Sequence, residues 1–258
     1  MQVSKDDVKR ENIKAHDYWA QYHDNLVSYS RFGANKKYYE RLLTNAINKY
    51  SDIKPKKVLE LAVGTCIFHD YIKKNFDQFT GIDISQEMIN RCLEKKEGYG
   101  LKNFNFECVD FDEFMEKNNK KYDLIFSFSF IHHLFDISKF KDKILDKLTP
   151  GGIYIALHEP NPHYRASLFQ SIDSFFYKRM CQINSAFRVL AGGSRNKILP
   201  PNFNDEIVDY QLINADYFHN FILSSKHETY KYYDFILFNR FFPKNYSFIV
   251  IKNENNCS

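Results

Sequence analysis

Three acidic residues stand at or just beyond short apolar runs: Glu60 in Lys57-Val-Leu-Glu-Leu61, Asp83 after Phe79-Thr-Gly-Ile82, and Asp110 after Phe104-Asn-Phe-Glu-Cys-Val109. The first run leads into a turn of small residues, Ala62-Val-Gly-Thr-Cys66. Such a turn lets backbone amides and a helix start approach a ligand closely. A carboxylate about 20 residues further on is placed to accept hydrogen bonds from two ribose hydroxyls. Asp110 is placed to accept from an adenine amino group. Singly, each is as well explained as a helix cap or a solvated side chain. Together, in this order and spacing, they describe one site along the carboxyl edge of a sheet.

A second group of reactive residues follows two later apolar runs. His132 and His133 come shortly after Tyr122-Asp-Leu-Ile-Phe-Ser-Phe128, and His158-Glu159 follows Ile153–Leu157. A histidine there has the chemistry to take a proton from a hydroxyl or amine. The alternative is that one of His132 and His133 caps the next helix while the other packs on the sheet. His158 and Glu159 are candidate substrate contacts. A zinc reading of His158-Glu159 with His163 fails, because H-E-x-x-H needs a continuous helix and Pro160 and Pro162 forbid one. No metal is expected.

The elements that position these residues are legible from periodicity. Apolar runs at 57–61, 79–83, 104–109, 122–128 and 153–157 alternate with helical patterns at about 67–76, after Ser85, and up to Leu148. Strands alternating with helices imply βαβ units and a mostly parallel sheet covered on both faces. The first fifty residues read as helices: one capped by Asp6 or Asp7 and running towards Val27, another from about Asn35 to Tyr50. After His158 the rhythm breaks, with Pro160, Pro162, a helical stretch from Arg165 to Leu190, and Pro200-Pro201. Two late runs, Tyr230–Phe238 and Tyr246–Ile251, suit an antiparallel edge hairpin. The division expected is a helical cap over 1–54 and an α/β domain over 55–258, with 160–225 as a substrate-covering insertion.

Composition narrows the function classes. A net charge of +4 among 36 basic and 32 acidic residues lacks the dense basic stripe of an electrostatic nucleic-acid binder. No run approaches the apolar length of a membrane span, and the charged N-terminus shows no secretory pattern. Five scattered cysteines without a C-x-x-C pair argue against a disulfide framework and for a cytoplasmic setting. The aromatic content is high, with 25 Phe and 18 Tyr. Tyr18, Trp19 and Tyr22 either staple their helix to the core or, with Tyr29, close over a bound ligand.

The chain resembles class I S-adenosylmethionine-dependent methyltransferases, particularly the ubiquinone and menaquinone branch. The resemblance rests on Glu60-Leu-Ala-Val-Gly64, Gly81-Ile-Asp83-Ile-Ser85 with Met88, Val109-Asp110, the Tyr122–Leu134 run and Leu148-Thr-Pro-Gly-Gly-Ile153. It implies a Rossmann-like seven-stranded sheet of order 3-2-1-4-5-7-6 and S-adenosylmethionine as cofactor. The cofactor would be held by Tyr22, Glu60, Leu61, Ala62, Gly64, Asp83, Ile84, Met88, Asp110, Phe111 and Ser127. His132 and His133 become the catalytic candidates, with Tyr29, His158 and Glu159 on a small-molecule acceptor. The family loop reads G-x-G-x-G, whereas its first and third positions here are Ala62 and Cys66. Ala62 costs little if its φ is negative, and Cys66 is expected at the helix start with its side chain turned away. Only one glycine is left for a pyrophosphate, which disfavours a nicotinamide enzyme. The run Ser127-Phe-Ser-Phe130 disfavours an RNA or protein methyltransferase, and a non-catalytic binding protein of the same fold is the remaining alternative.

Overall fold

The computed structural model describes residues 3–21, 23–26, 33–51, 53–161, 205–212, 217, 229–234 and 245–252. At its centre is a Rossmann-like α/β sheet of order β3-β2-β1-β4-β5-β7-β6. Its strands are β1 (Lys57–Leu61), β2 (Gln78–Asp83), β3 (Phe104–Cys108), β4 (Tyr122–Phe128), β5 (Leu148–Pro160), β6 (Thr229–Asp234) and β7 (Asn245–Ile251). The β3-β2-β1-β4-β5 pairs are parallel, while β7 runs antiparallel to both β5 and β6. Crossover helices make the parallel pairs possible, because a strand cannot return parallel through a tight turn.

The helices are α1 (Lys5–Ala20), α2 (His23–Leu26), α3 (Gly33–Tyr50), α4 (His69–Asn75), α5 (Gln86–Tyr99), α6 (Phe111–Lys117), α7 (Phe140–Lys147) and α8 (Asp205–Val208). Two apolar layers enclose the sheet. On one face Val58, Phe79, Leu124 and Ile155 pack against Leu43 of α3, Ile72 of α4 and Ile89 of α5. On the other, Leu59, Ile82, Ile125 and Tyr154 pack against Phe114 of α6 and Ile144 of α7. Burial on both faces explains why the inner strands read as near-continuous apolar runs.

Several expected boundaries shift. Ser4, not Asp6 or Asp7, caps α1: its hydroxyl accepts from the Asp7 amide while the Asp7 carboxylate accepts from the Ser4 amide. This reciprocal pair satisfies two otherwise unpaired donors. The helix ends at Ala20, short of Val27. Strand β5 begins at Leu148 and reaches Pro160, beyond the expected 153–157, because the Pro150-Gly-Gly turn is absorbed into the strand. The expected helix over 165–190 lies outside the described residues. Among the described residues no helix is long and apolar enough to cross a membrane.

Candidate active site

The carboxyl ends of β1, β2, β4 and β5 open on a cavity of about 400 Å³, roofed by α1. That size suits a small ligand or cofactor. Asp83, at the end of β2, organises its floor. The carboxylate accepts from the Gly64 amide at 2.9 Å and the Ser85 amide at 2.9 Å, while the Asp83 carbonyl accepts from the Val109 amide at 2.9 Å. One residue thus pins the small-residue loop, the start of α5 and the exit of β3. Burial raises the Asp83 carboxyl above its usual range, against the opposing effect of His16 and the two amides.

Glu60 is 2% exposed, and its Oε2 has no hydrogen-bond partner. Burial first, then the neighbouring Cys66 and Asp83, pushes its carboxyl well above the ordinary range. A buried acceptor without a donor costs free energy, so it marks a place where a ligand donor is missing.

The loop between them departs from expectation. Ala62 and Cys66 both have φ of +52°, alongside Gly64 at +53°. A negative φ, the condition under which Ala62 would cost little, is therefore not met. The backbone keeps the glycine conformation, and each non-glycine residue holds it at roughly 1–2 kcal/mol. Cys66 does not open the helix, since α4 starts only at His69. Its side chain is wholly buried in the core, as the family's glycine could not be. Close packing here also requires Gly81, where a Cβ would lie 2.8 Å from Val63 Cγ2. Val63, Gly64 and Ala62 all face the cavity.

The other expected cofactor contacts divide. Ile84, Met88, Asp110 and Phe111 line the cavity. Asp110 uses Oδ1 to cap α6 through the Asp112 and Glu113 amides, and its Oδ2 faces Lys9 of α1 at 3.5 Å. Leu61 is fully buried in the second apolar layer, so only its backbone is near the site. Ser127 is a correction: its hydroxyl is buried against the Tyr154 hydroxyl at 2.7 Å, inside the sheet layer and away from the cavity. Tyr22 and Tyr29 lie outside the described residues.

At the acceptor end the expected roles separate as well. Glu159 does not meet the cavity. It is fully buried and accepts from the Phe130, Ile131 and His132 amides at 2.8, 3.0 and 3.4 Å, and from His132 Nδ1 at 2.9 Å. His132 is held by that contact and by Asp209 on its other side, and it does not line the cavity either. His133 does line it. Its Nδ1 lies 2.8 Å from the Val208 carbonyl. A carbonyl only accepts, so Nδ1 carries the proton and Nε2 keeps the lone pair. Burial, with His132 and His16 nearby, holds the His133 pKa well below the ordinary histidine value, so the ring is neutral at pH 7. His158 also lines the cavity, stacked on Phe128 at 4.9 Å and 9°. Its φ of +60° and that of Ser129, +55°, place backbone strain at two adjacent strand ends.

The cap expected over 1–54 did not name its polar lining residues. Lys9, Asn12, His16 and Trp19 of α1 line the cavity. Their spacing of three to four residues was a visible helical stripe, but its polar members resembled a solvated face. Two ion pairs, Lys5 with Asp112 and Lys9 with Asp110, fix the roof, and the Ser85 hydroxyl donates to the Asp17 carboxylate at 2.5 Å. His132, His133 and Asp209 bring one ligand atom each within 4.8 Å of one another. With both histidine Nδ1 atoms committed to oxygens, the three read as the anchor for residues 205–212. Gln211 completes it by donating to the Leu134 and Phe135 carbonyls at 2.6 and 2.9 Å.

A mostly parallel α/β sheet with a cavity at its strand ends and acidic residues on β1 and β2 is a Rossmann-like fold with its cavity where such sheets bind ligands. Residues 54–211 match the profile of a family described as a methyltransferase domain, and the chain belongs to that family. Among solved structures it is similar to the complex of DhpI with SAH, at 16% identity over 98% of this chain and 100% of that one, TM-score 0.55. It is also similar to the CurJ carbon methyltransferase, at 13% identity over 91% of this chain and 57% of that one, TM-score 0.53. An S-adenosylmethionine-dependent methyltransferase from Clostridium acetobutylicum matches at 23% identity over 57% of this chain, TM-score 0.46, and the match spans 58% of that protein.

Proposed function

We propose that the chain is an S-adenosylmethionine-dependent methyltransferase acting on a small-molecule acceptor, apolar or aromatic in character. The observation that carries this reading is the buried Glu60 oxygen without a donor, beside the Asp83 carboxylate, on one cavity at the strand ends. S-adenosylmethionine fits these residues: an ammonium group suits Glu60, two ribose hydroxyls suit Asp83, and the adenine amino group suits Asp110. When bound, the cofactor would supply an electrophilic methyl group, with its sulfur as the leaving atom. The protein's own work is alignment, exclusion of water and removal of a proton.

His133 is the residue for that last step. Its neutral ring offers only Nε2, which takes the proton of an attacking hydroxyl or amine. Aromatic lining from Trp19, Phe68, Phe128 and Phe130 favours an acceptor with an apolar body, in keeping with the resemblance to quinone methyltransferases. Residues 1–54 serve as the cap and 160–225 as the acceptor cover. The position of α1 over the cavity and the docking of Val208 and Gln211 on the end of β4 support that division.

Calorimetric titration with S-adenosylmethionine and S-adenosylhomocysteine tests the reading. Micromolar binding is expected, with net proton release wherever Glu60 and Asp83 are partly protonated in the free protein, because ligand donors favour their ionised forms. Affinity should therefore rise with pH through their elevated range. Repeating the titration in buffers of different ionisation enthalpy reads the proton count, and flat heats from a folded protein would sink the proposal. With an acceptor found by screening, His133→Ala should lower kcat roughly 10²–10⁴-fold while cofactor affinity holds. The pH profile follows from the same ring. A base with a depressed pKa is unprotonated at pH 7 and stays so below pH 6.5, so at saturating cofactor kcat/KM for the acceptor should fall only well into the acid range. The same burial makes the folded state lose stability progressively below about pH 6.5, where the unfolded chain binds a proton that the folded ring refuses.

A further inference from the structure

We propose that His16 of α1 is a second substrate-binding residue, paired with His133 so that the cavity selects small acceptors carrying two adjacent O–H or N–H donors. The proposal rests on the methyltransferase reading above. Both rings line the cavity. His16 Nδ1 lies 2.8 Å from the Asn12 carbonyl, and His133 Nδ1 lies 2.8 Å from the Val208 carbonyl. Each Nδ1 therefore carries a proton, which leaves Nε2 of each ring as the nitrogen open to a ligand and, in the uncharged ring, an acceptor. Neither Nε2 has a hydrogen-bond partner among the described residues. The rings meet edge to face at 5.1 Å between centroids and 89° between planes, so the two lone pairs belong to one small patch of the wall.

The backbone clamps are themselves tied together. Asn12 donates from Nδ2 to the Val8 carbonyl at 3.0 Å and to the Val208 carbonyl at 3.3 Å. The Val208 oxygen that fixes His133 is thus shared with the helix that carries His16. With two accepting nitrogens side by side, a single-hydroxyl substrate that excludes water leaves one lone pair unmatched, which costs affinity. A catechol or a vicinal amino alcohol satisfies both. In the transfer step one of those groups loses its proton to His133 Nε2 as it attacks the methyl carbon, while the other stays intact on His16 Nε2.

The test is long-range ¹H–¹⁵N NMR on the full chain, labelled with ¹⁵N-histidine and saturated with S-adenosylhomocysteine. His16→Phe and His133→Phe provide the assignments. The probes are catechol and phenol. Both rings should be Nδ1–H tautomers, catechol should move both Nε2 resonances, and phenol should move one. His16→Phe keeps a ring for the edge-to-face contact. In protein saturated with S-adenosylhomocysteine it should weaken catechol about tenfold, to the level of phenol, the worth of one hydrogen bond. An Nε2–H tautomer at His16 overturns the pairing. So does catechol that leaves the His16 Nε2 resonance unmoved, or unchanged catechol affinity in His16→Phe, in a protein that still binds S-adenosylhomocysteine. Failure to bind S-adenosylhomocysteine at all overturns the methyltransferase reading and this proposal with it.

Discussion

Asp83→Ala should weaken binding of S-adenosylhomocysteine at least 100-fold. Two hydrogen bonds from ribose hydroxyls to a charged acceptor are worth roughly 1.5–3 kcal/mol each, and every 1.4 kcal/mol is a factor of ten. The carboxylate also holds the Gly64 and Ser85 amides, so its loss loosens the loop that faces the ligand. Folding should suffer less than binding. Alanine leaves two amides unpaired but removes a buried acid whose ionisation burial opposes. Asp83→Asn is the milder change: it keeps one acceptor oxygen for one of the two backbone amides and turns an NH2 group towards the other. Calorimetric affinity and urea midpoints for both variants decide the matter. An affinity within tenfold of the parent's would remove Asp83 from the site.

Glu159→Ala should be the most damaging single change to stability, lowering the melting temperature by about 10 °C. Its carboxylate is fully buried and gathers three backbone amides and the His132 ring where β4 turns back from the sheet. Removing one partner of a buried, charge-assisted network costs roughly 3–5 kcal/mol, and each kcal/mol is worth about 2–4 °C in a chain of this size. Glu159→Gln keeps an acceptor for the Phe130 and Ile131 amides but turns a donor towards one remaining partner, so it should cost about half as much. Thermal unfolding of the two variants checks the order. A change below about 2 °C in Glu159→Ala would mean the turn after β4 is held by packing alone.

Reading the sequence worked where one local pattern determines one local outcome. Strands β1 and β4 fall on the expected residues, since runs such as Val58-Leu-Glu-Leu61 are buried on both faces and have no helical alternative of that length. Asp83 and Gly64 were found because strand–turn–helix geometry demands those residue types at those places. Roles set by long-range contacts could not be read this way. Glu159 and His132 carry the residue types of a substrate site, yet they bond to each other across 27 positions of sequence. Ser127 was expected at the cofactor and instead meets Tyr154 on the neighbouring strand. His16 went unnoticed for the opposite reason, because nothing local distinguishes a cavity roof from a solvated helix face. The positive φ of Ala62 and Cys66 was not legible, because neither residue type signals it.

The thiols behind the small-residue loop give the protein a built-in clock. Cys92 donates from Sγ to the Gly64 carbonyl at 3.0 Å, and both Cys66 and Cys92 are wholly buried. Burial, reinforced by the Cys66 neighbour, raises the Cys92 pKa so far that the thiolate is absent while the loop is closed. Alkylation of these two sulfurs can proceed only during excursions that lift the loop off its bed. Their labelling rate therefore counts opening events, and any ligand that seals the loop will be seen as a slowing of that count.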